Sequence, residues 1–335
     1  MSSMVKTKRV TLQDLANHTG YTVNTVSRAL KNKSDISQAT REYIQKVANE
    51  MGYIRNVAAS SMRSGHTKTL GVIVGGLSNP YYSIMSDSIH NAATEYGYSL
   101  LIQCSRDRSD LELQATEALI SRQVDGILLF PSNDPSPAIS RMRAVGVPFV
   151  LMARYPEGVE ADCVVCNEAE GAYLATRHLI EAGCKNLAYL SSFDVIFSSS
   201  QRCKGFLKAC EEAGVNARTA LCPRKDEILP QLLRWKEEGI DGLFSFCDDE
   251  AWNVLSLLNS QGLSVPGDLA LVGFDNIQGT VPFPSHLCSV DYNLSGMAQS
   301  GIDLLRSRIH GDESPVQCVV YPAHVVCRGS CGKTK

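Results

Sequence analysis

The sequence predicts a small all-helical head followed by a larger α/β body. In the first 56 residues, apolar side chains recur at helical spacing in short segments separated by turn residues. From residue 69 onward, short continuous apolar runs alternate with longer helical patterns, as expected for parallel strands that are buried on both faces. A chain of 335 residues is long enough for two or three structural units with a substantial core.

The stretch VTLQDLANHTGYTVNTVSRAL, residues 10–30, indicates two short helices joined by a glycine turn. Thr11 is the expected cap of the first helix, and Asp14 three residues later completes a capping box. Gly20 supplies the turn, because a residue with a Cβ resists that backbone conformation. Thr22 is the expected cap of the second helix. The outward-facing residues of that helix are Val23, Asn24, Thr25, Ser27 and Arg28.

A third helix is predicted after Ser37, and Gly52 is expected to end it. Its expected inward face comprises Tyr43, Ile44, Val47, Ala48 and Met51. Three short helices around one small core are typical of a helix-turn-helix domain. The outward Asn and Arg of the second helix suit adenine and guanine edges, and its hydroxyls suit phosphates. On spacing alone, a helical hairpin with a polar outer face is the alternative.

Charge is distributed unevenly between the head and the body. Residues 1–66 carry ten Lys and Arg against four Asp and Glu, a net charge of +6. The remainder carries 22 against 31, a net charge of −9. A basic head on an acidic body favours nucleic-acid binding by the head alone.

No apolar run approaches the roughly 20 residues needed to span a bilayer, so we expect no membrane partner. The first residues are polar and basic without an apolar core, so we expect no signal peptide and a cytoplasmic protein.

Twelve cysteines could indicate disulfides, but a long chain without an export signal favours reduced thiols. Cys163 and Cys166 have CxxC spacing, yet they lie in an apolar run, and we expect no second cysteine pair at zinc-site spacing. Buried strand cysteines are therefore expected there rather than a metal or redox site. The seven histidines show no ligand spacing, so we expect no metal and no cofactor.

The body is predicted to hold two similar α/β halves with doubly wound parallel sheets. Strands are expected at 70–74, 98–102, 126–130, 148–152 and 163–166, and then at 187–190, 242–246 and 269–272. Helices are expected at 82–96, 111–123, 169–182, 202–213, 229–238 and 250–261.

Ligands of open parallel sheets bind at the carboxyl ends of the strands. The polar candidates there are Tyr81, Tyr82, Arg202, Asp248, Asp249, Asp275 and Tyr292. Carboxylates and arginine can bind vicinal hydroxyls in pairs, while aromatic rings cover an apolar sugar face. Each candidate also has a structural alternative: a salt bridge for the arginine, a helix or turn cap for the aspartates, and packing for the tyrosines.

The head resembles that of the lactose/galactose repressor (LacI/GalR-type) family of bacterial transcriptional regulators. The resemblance is carried by residues 10–30, ISQATRE, MGYIRN and AASSMRSGHTKTLGVIV, and it extends to about residue 330. It implies a helix-turn-helix head at 1–56, a hinge helix at 57–66 and an effector-binding and dimerisation domain at 67–335. It also implies a body like a periplasmic binding protein, whose chain crosses between the halves near Asn167, Asp291 and Val319. The amino-terminal half would then comprise about 67–167 and 292–318, and the carboxyl-terminal half about 168–291 and 319–330.

For DNA binding, the resemblance implies base contacts by Val23, Asn24 and Arg28. The groups Thr11, Thr22, Thr25 and Ser27 are expected to contact phosphates or to cap helices. The segment after Asn56 is too short to be a stable helix alone, so a disordered linker is the alternative when DNA is absent. On DNA it is expected to enter the minor groove, and Asn56, Ala59, Met62 and Arg63 are expected to bind DNA. Met62 stands in place of a leucine that opens a base step.

For the effector, the resemblance implies contacts by Arg154, Arg202, Asp248 and Asp275, with Tyr292 packing on the ligand. The chain departs from the family at several positions. Ala153 stands where sugar-binding members often have an aspartate, and Ile196 stands where a purine-sensing relative has an arginine. Residues 290–292 read Val-Asp-Tyr, where Arg-Gln-Pro is usual, and Arg55 replaces a proline. A mono- or disaccharide is therefore favoured, with a purine or another metabolite as the alternative.

The predicted function is an effector-controlled regulator, expected to be a repressor, that binds a near-palindromic operator as a homodimer. Some members of the resembled family carry a leucine-heptad tail that makes tetramers; we expect none here and therefore a dimer. The resemblance also implies a bacterial, nucleoid-associated protein. A solute-binding protein is disfavoured by the head and by the lack of a signal peptide. An enzyme is disfavoured because no GxGxxG, P-loop or Gly-x-Ser-x-Gly motif is present.

Overall fold

The computed structural model describes residues 9–54, 65–132, 136–156, 158–192, 197–281 and 286–332. The chain divides into two compact units, Met1–Gly65 and His66–Lys335, which we call the head and the body. Among the described residues, no helix is both long and apolar enough to cross a membrane.

The head contains α1 (Leu12–Thr19), α2 (Val23–Ala29) and α3 (Gln38–Glu50). The Thr11 hydroxyl accepts a hydrogen bond from the Asp14 backbone N–H at 3.2 Å, and the Asp14 carboxylate accepts one from the Thr11 N–H at 2.8 Å. This is the predicted capping box. Gly20 follows α1 with φ of 75°, a left-handed conformation that favours glycine.

The core of the head is formed by one apolar stripe from each helix. Its buried members are Leu15, Ala16, Val26, Ala29, Ile44, Val47 and Ala48. Tyr43 was predicted to face inward, but it is 46% exposed. The prediction is wrong because the buried stripe of α3 is narrow, and Tyr43 lies at its edge with its ring against that of Tyr21.

The first half of the body is a six-stranded parallel sheet with the order β11-β5-β4-β3-β1-β2. Its strands are β1 (Thr69–Val74), β2 (Ser99–Cys104), β3 (Gly126–Leu129), β4 (Phe149–Met152), β5 (Cys163–Cys166) and β11 (Cys318–Tyr321). Its helices are α4 (Pro80–Glu95), α5 (Ser109–Ser121), α6 (Pro137–Val145) and α11 (Leu294–Ile309).

The second half repeats this plan with the strand order β12-β10-β9-β8-β6-β7, in which β12 is antiparallel to β10. Its strands are β6 (Asn186–Ser191), β7 (Asn216–Leu221), β8 (Gly242–Ser245), β9 (Ala270–Phe274), β10 (Cys288–Asp291) and β12 (His324–Val326). Its helices are α7 (Glu168–Glu181), α8 (Phe197–Ala213), α9 (Lys225–Glu237) and α10 (Asp248–Ser260).

The chain passes between the two sheets after β5, after β10 and between β11 and β12. The third passage was predicted near Val319, and the structure corrects this position. Val319 lies inside β11, which pairs with β5 over four residues, so the passage falls at 322–323. The first half therefore extends to Tyr321 rather than ending at 318.

One cysteine pair departs from the expectation of reduced thiols. Cys163 and Cys318 lie directly opposite each other on β5 and β11, with Cα atoms 4.7 Å apart, and are joined by a disulfide. The sequence did not indicate that β11 pairs beside β5, so it could not predict this register. Cys166 is a buried strand cysteine, as predicted.

Candidate DNA-binding face and ligand cavity

The outward face of α2 divides into capping groups and exposed groups. The Thr22 hydroxyl accepts a hydrogen bond from the Thr25 N–H at 3.1 Å and lies 2.9 Å from the Thr25 hydroxyl. Both threonines are therefore engaged at the start of the helix. Val23 and Asn24 are exposed at the same end, and Ser27 is half-buried.

Arg28 is exposed but held in place by an ion pair within the head. Its Nε donates to Oδ2 of Asp35 at 2.8 Å, and its Nη2 lies 2.7 Å from the same oxygen. The hydrogen bond raises the pKa of Arg28 and lowers the pKa of Asp35. A guanidinium carries five N–H donors, so this pair orients Arg28 and leaves donors for a guanine edge.

Part of the predicted DNA-binding set lies outside the described residues. This part comprises Asn56, Ala59, Met62 and Arg63. Arg55 and Ile196, where the chain departs from the family, also lie outside the described residues. Their roles stay predictions.

The body contains a cavity of about 650 Å³ between its two halves. The lining residues follow the carboxyl ends of strands in both sheets, where open parallel sheets bind ligands. The first half contributes Tyr81, Tyr82, Arg106, Asp107, Phe130, Ala153 and Arg154, among others. The second half contributes Glu168, Ser198, Arg202, Lys225, Phe246, Asp249 and Asp275, and Tyr292 lies at the second passage between the halves.

In the first half, Arg154 connects two neighbouring groups. Its Nη1 lies 2.6 Å from Oδ1 of Asp107, and its Nη2 donates to the Tyr82 hydroxyl at 2.9 Å. Burial raises the pKa of Tyr82 to about 12. A Cβ at Gly75 would lie 2.7 Å from both the Tyr82 hydroxyl and Oδ2 of Asp107, so glycine makes room for this cluster. Asp107 carried no signal in the sequence, because the loop after β2 has no motif.

In the second half, the Arg202 guanidinium lies between two carboxylates. Its Nε is 2.5 Å from Oε2 of Glu168, and its Nη2 is 3.5 Å from Oδ1 of Asp275. Its Nη1 donates to the carbonyl of Phe246, and the guanidinium lies 3.6 Å from the ring centre of Phe274. The side chain is only 5% exposed. Arg202 is therefore a buried ion-pair partner and also lines the cavity.

Asp275 follows β9 and is buried in the cavity wall. Burial raises its pKa to about 6, although Arg202 and the Tyr292 hydroxyl, which donates to Oδ1 at 2.8 Å, both favour the carboxylate. Its φ of 100° is in the left-handed region, and Ala153, at the corresponding place after β4, has φ of 63°. Such strained positions cluster at binding sites.

Asp248 was predicted to contact the ligand, but it does not line the cavity. Its Oδ2 accepts from the Ile277 N–H at 2.9 Å, and its Oδ1 accepts from the Ser289 hydroxyl at 2.6 Å. Asp248 is fully buried and joins β10 to the short helix after β9, while Asp249 lines the cavity. Two adjacent residues at a helix start point about 100° apart, so only one of them faces the cavity.

Comparison with known proteins identifies the family. A model described as bacterial regulatory proteins, lacI family, matches residues 11–56, and one described as a periplasmic binding protein-like domain matches residues 176–331. The HTH-type transcriptional regulator DegA of Bacillus subtilis (strain 168) is 31% identical over 334 residues, covering 96% of this chain and 98% of DegA. The chain belongs to the LacI family of bacterial transcriptional regulators. Members of this family are regulators with an effector-binding domain, not enzymes.

Two solved structures show how far the similarity of this LacI-family regulator extends. The lac repressor dimer bound to operator and the anti-inducer ONPF matches with a TM-score of 0.83 at 22% identity, covering 97% of this chain and 99% of that one. The complex of the transcriptional regulator CelR with cellobiose matches with a TM-score of 0.70 at 25% identity, covering 96% and 100%. The predicted fold class is thereby confirmed. The residues that contact DNA or effector stay predictions.

Proposed function

We propose that this LacI-family regulator is a homodimeric repressor whose operator affinity is controlled by a neutral mono- or disaccharide bound between the two halves of the body. The observation that carries the proposal is the charge balance of the cavity. Among the residues that the structure describes, four cationic side chains line it, namely Arg106, Arg154, Arg202 and Lys225. Four carboxylates lie beside them, namely Asp107, Glu168, Asp249 and Asp275.

Paired charges suit hydroxyl groups better than a charged ligand. Arg154 with Asp107 and Arg202 with Asp275 each place donors beside acceptors. A sugar hydroxyl both donates and accepts, so neighbouring hydroxyls can satisfy such a pair. A phosphorylated sugar would have to bring its anion close to buried carboxylates, which costs free energy in a region of low dielectric.

Size and wall chemistry also support a sugar. A cavity of about 650 Å³ lies within the usual range for small-molecule sites. Tyr81, Phe130 and Phe246 supply aromatic faces on both sides. The similar regulator CelR was solved as a complex with cellobiose, a disaccharide.

The proposed control uses the three passages between the halves as a hinge. A ligand held by Arg154 on one side and Arg202 on the other would favour one arrangement of the halves. Switching from mostly bound to mostly free operator requires about 10⁴-fold differential affinity, or roughly 5.5 kcal/mol. The similar lac repressor was solved as a dimer on its operator. We therefore propose that two copies of this chain share a near-palindromic site.

We expect a neutral sugar to raise the thermal stability of the full-length protein. At a hundredfold excess over Kd, a ligand of the native state raises the free energy of unfolding by about 2.7 kcal/mol. The measurement is thermal unfolding against panels of neutral mono- and disaccharides, sugar phosphates and purines. Stabilisation by purines or sugar phosphates alone, or by no compound, would contradict the proposed ligand class.

We also expect the affinity for that sugar to fall below about pH 6. The pKa of Asp275 is raised to about 6 in the folded chain, so the fold favours its neutral form. The stabilisation from this group is therefore complete at low pH and is lost as the pH rises through about 6. A sugar hydroxyl that donates to Asp275 needs the ionised carboxylate. The affinity for the sugar should therefore rise as the pH rises through about 6, whereas the contribution of this group to folding stability falls.

Calorimetric titration between pH 5 and pH 8 measures this trend. Asp275→Asn is expected to bind weakly and with no dependence on pH in this range. Glu250 has a pKa raised to about 6 by burial, but its carboxylate accepts hydrogen bonds from Ser245 and Phe246. Glu250→Gln is therefore the matched control, and it should retain the pH dependence. A flat profile in the unmodified protein would remove Asp275 from the sugar contacts.

A further inference from the structure

Four side chains with metal-binding donors meet in the second half of the body, although they lie far apart in the sequence. Cys288 begins β10, Cys327 directly follows β12, Cys331 lies four residues later, and His178 is on α7. Their donor atoms all lie within 4.8 Å of one another. This cluster is separate from the ligand cavity, since none of the four residues lines it.

The distances between the sulfur atoms match a tetrahedral metal site. Cys288 Sγ lies 3.6 Å from Cys331 Sγ and 3.9 Å from Cys327 Sγ, and the remaining sulfur pair is 3.9 Å apart. A tetrahedral zinc site with Zn–S bonds of about 2.3 Å has sulfur atoms about 3.8 Å apart. A disulfide would require about 2.05 Å. The His178 Nε2 lies 3.0 Å from Cys331 Sγ and within 4.8 Å of the other two sulfur atoms, close enough to act as a fourth ligand.

The segment that carries two of the cysteines is hydrogen-bonded to the sheet. Ser330 Oγ accepts from the Cys288 N–H at 2.7 Å and donates to the Leu271 carbonyl at 2.6 Å. Between the two cysteines, Gly329 has φ of 105°, which lets the chain turn back.

Arg328 provides one hydrogen bond of the kind that surrounds a metal thiolate. Its backbone N–H donates to Cys288 Sγ at 3.2 Å, and its guanidinium donates to the Leu287 carbonyl at 2.9 Å. Hydrogen bonds to coordinating atoms orient the ligands of metal sites. Cys288 and Cys331 are buried, whereas His178 and Cys327 are partly exposed, so a metal ion can reach the cluster from solvent.

We propose that His178, Cys288, Cys327 and Cys331 bind one Zn²⁺ ion in a structural site. Three thiolates and one imidazole in a tetrahedron form a closed zinc site, with no position left for water or substrate. Binding displaces the protons of the three thiols into solvent, and no oxidant or reductant is involved. The spacing of Cys327 and Cys331, with three residues between them, lies within the usual range for zinc ligands.

The position of the site defines its role. The zinc site joins three elements: α7, the first residue of β10, and the segment that follows β12. β12 is an edge strand of the second sheet. The last residues of β10 lead to Tyr292 in the cavity wall. Bound zinc would therefore hold the segment with Cys327 and Cys331 against β10, the strand that leads to Tyr292. Removal of zinc should lower the thermal stability of the protein.

The test measures metal content of the full-length protein, purified in a non-thiol reductant and equilibrated with stoichiometric zinc. We expect elemental mass spectrometry to find one zinc per chain. Replacement by Co²⁺ should give thiolate charge-transfer bands and the visible bands of tetrahedral cobalt. His178→Ala and Cys327→Ser should each weaken zinc affinity at least about 100-fold, as loss of an outer partner alone costs about 10–100-fold.

Two variants separate ligation from a merely structural effect. His178→Cys keeps four donors and should retain zinc, whereas His178→Ala should not. Cys203→Ser, which alters a partly buried cysteine on α8, should retain one zinc per chain. The proposal is overturned if the reduced protein binds no zinc. It is also overturned if the double variant His178→Ala/Cys327→Ser retains one zinc per chain. A disulfide among Cys288, Cys327 and Cys331 in metal-free protein prepared without oxygen would also overturn it.

Discussion

Arg202→Met is expected to lower the free energy of unfolding by about 3–5 kcal/mol and to abolish the response to the effector. The buried guanidinium lies between Glu168 and Asp275, and its removal leaves two carboxylates in the protein interior without their cation. Removing one partner of a buried ion pair costs this amount, because the remaining charge is desolvated and uncompensated. Loss of the effector response follows separately, because the cavity loses the donors proposed to hold the sugar.

Two further variants distinguish these effects by chemical denaturation and by the sugar-induced thermal shift. Arg202→Lys keeps a positive charge but loses the planar fork, so it should recover part of the stability without recovering the response. Arg218→Met removes an exposed arginine 3.7 Å from Glu238 in the same half of the body. It should change stability by less than about 0.5 kcal/mol and retain the response. An Arg202→Met protein with normal stability or a normal thermal shift would refute the assigned role.

Strands that are buried on both faces were the part of the fold best predicted from the sequence. The run CVVC at 163–166 is β5, and the runs at 70–74 and 242–246 differ from β1 and β8 by one residue at one end. Continuous apolar runs are typical of central parallel strands. The strands that were not predicted, β7, β10, β11 and β12, are mostly shorter or half-exposed and lie at or near sheet edges, where packing does not require an apolar run.

The site was predictable where a residue ends a recognisable strand or belongs to a family motif. Arg202, Asp275 and Tyr292 could be predicted for these reasons, and all three line the cavity. Asp107 and Glu168, which neutralise the two arginines, were not predicted, because ion pairing across 47 or 34 residues of sequence leaves no local pattern.

The same limit explains only part of the histidine and cysteine cluster. Cys327 and Cys331 have a spacing typical of zinc ligands, which the expectation of no second such pair overlooked. His178 and Cys288 come from separate elements, so local spacing could not assemble the whole set.

The operator affinity of the full-length protein is expected to fall about 10³–10⁵-fold between 50 and 200 mM salt. The first 66 residues carry a net charge of +6, and two heads on one operator would make enough phosphate contacts for this dependence. Each neutralised phosphate releases counterions, and 6–10 contacts give a loss of this size. The measurement is fluorescence anisotropy on an operator duplex that the protein has selected from a random library. A flat salt dependence would argue against an interface that follows the phosphates.

Asn24→Ala separates base reading from phosphate binding in the same assay. Asn24 is exposed on α2, where its amide can pair with an adenine edge. Its loss should reduce discrimination between the selected operator and a duplex with a changed half-site by roughly 1–3 kcal/mol, without changing the salt slope. Asn49→Ala, an exposed position on α3, is the matched control and should leave both quantities unchanged. If Asn24→Ala changes the slope but not the discrimination, α2 contacts the backbone, and the bases are read by another element.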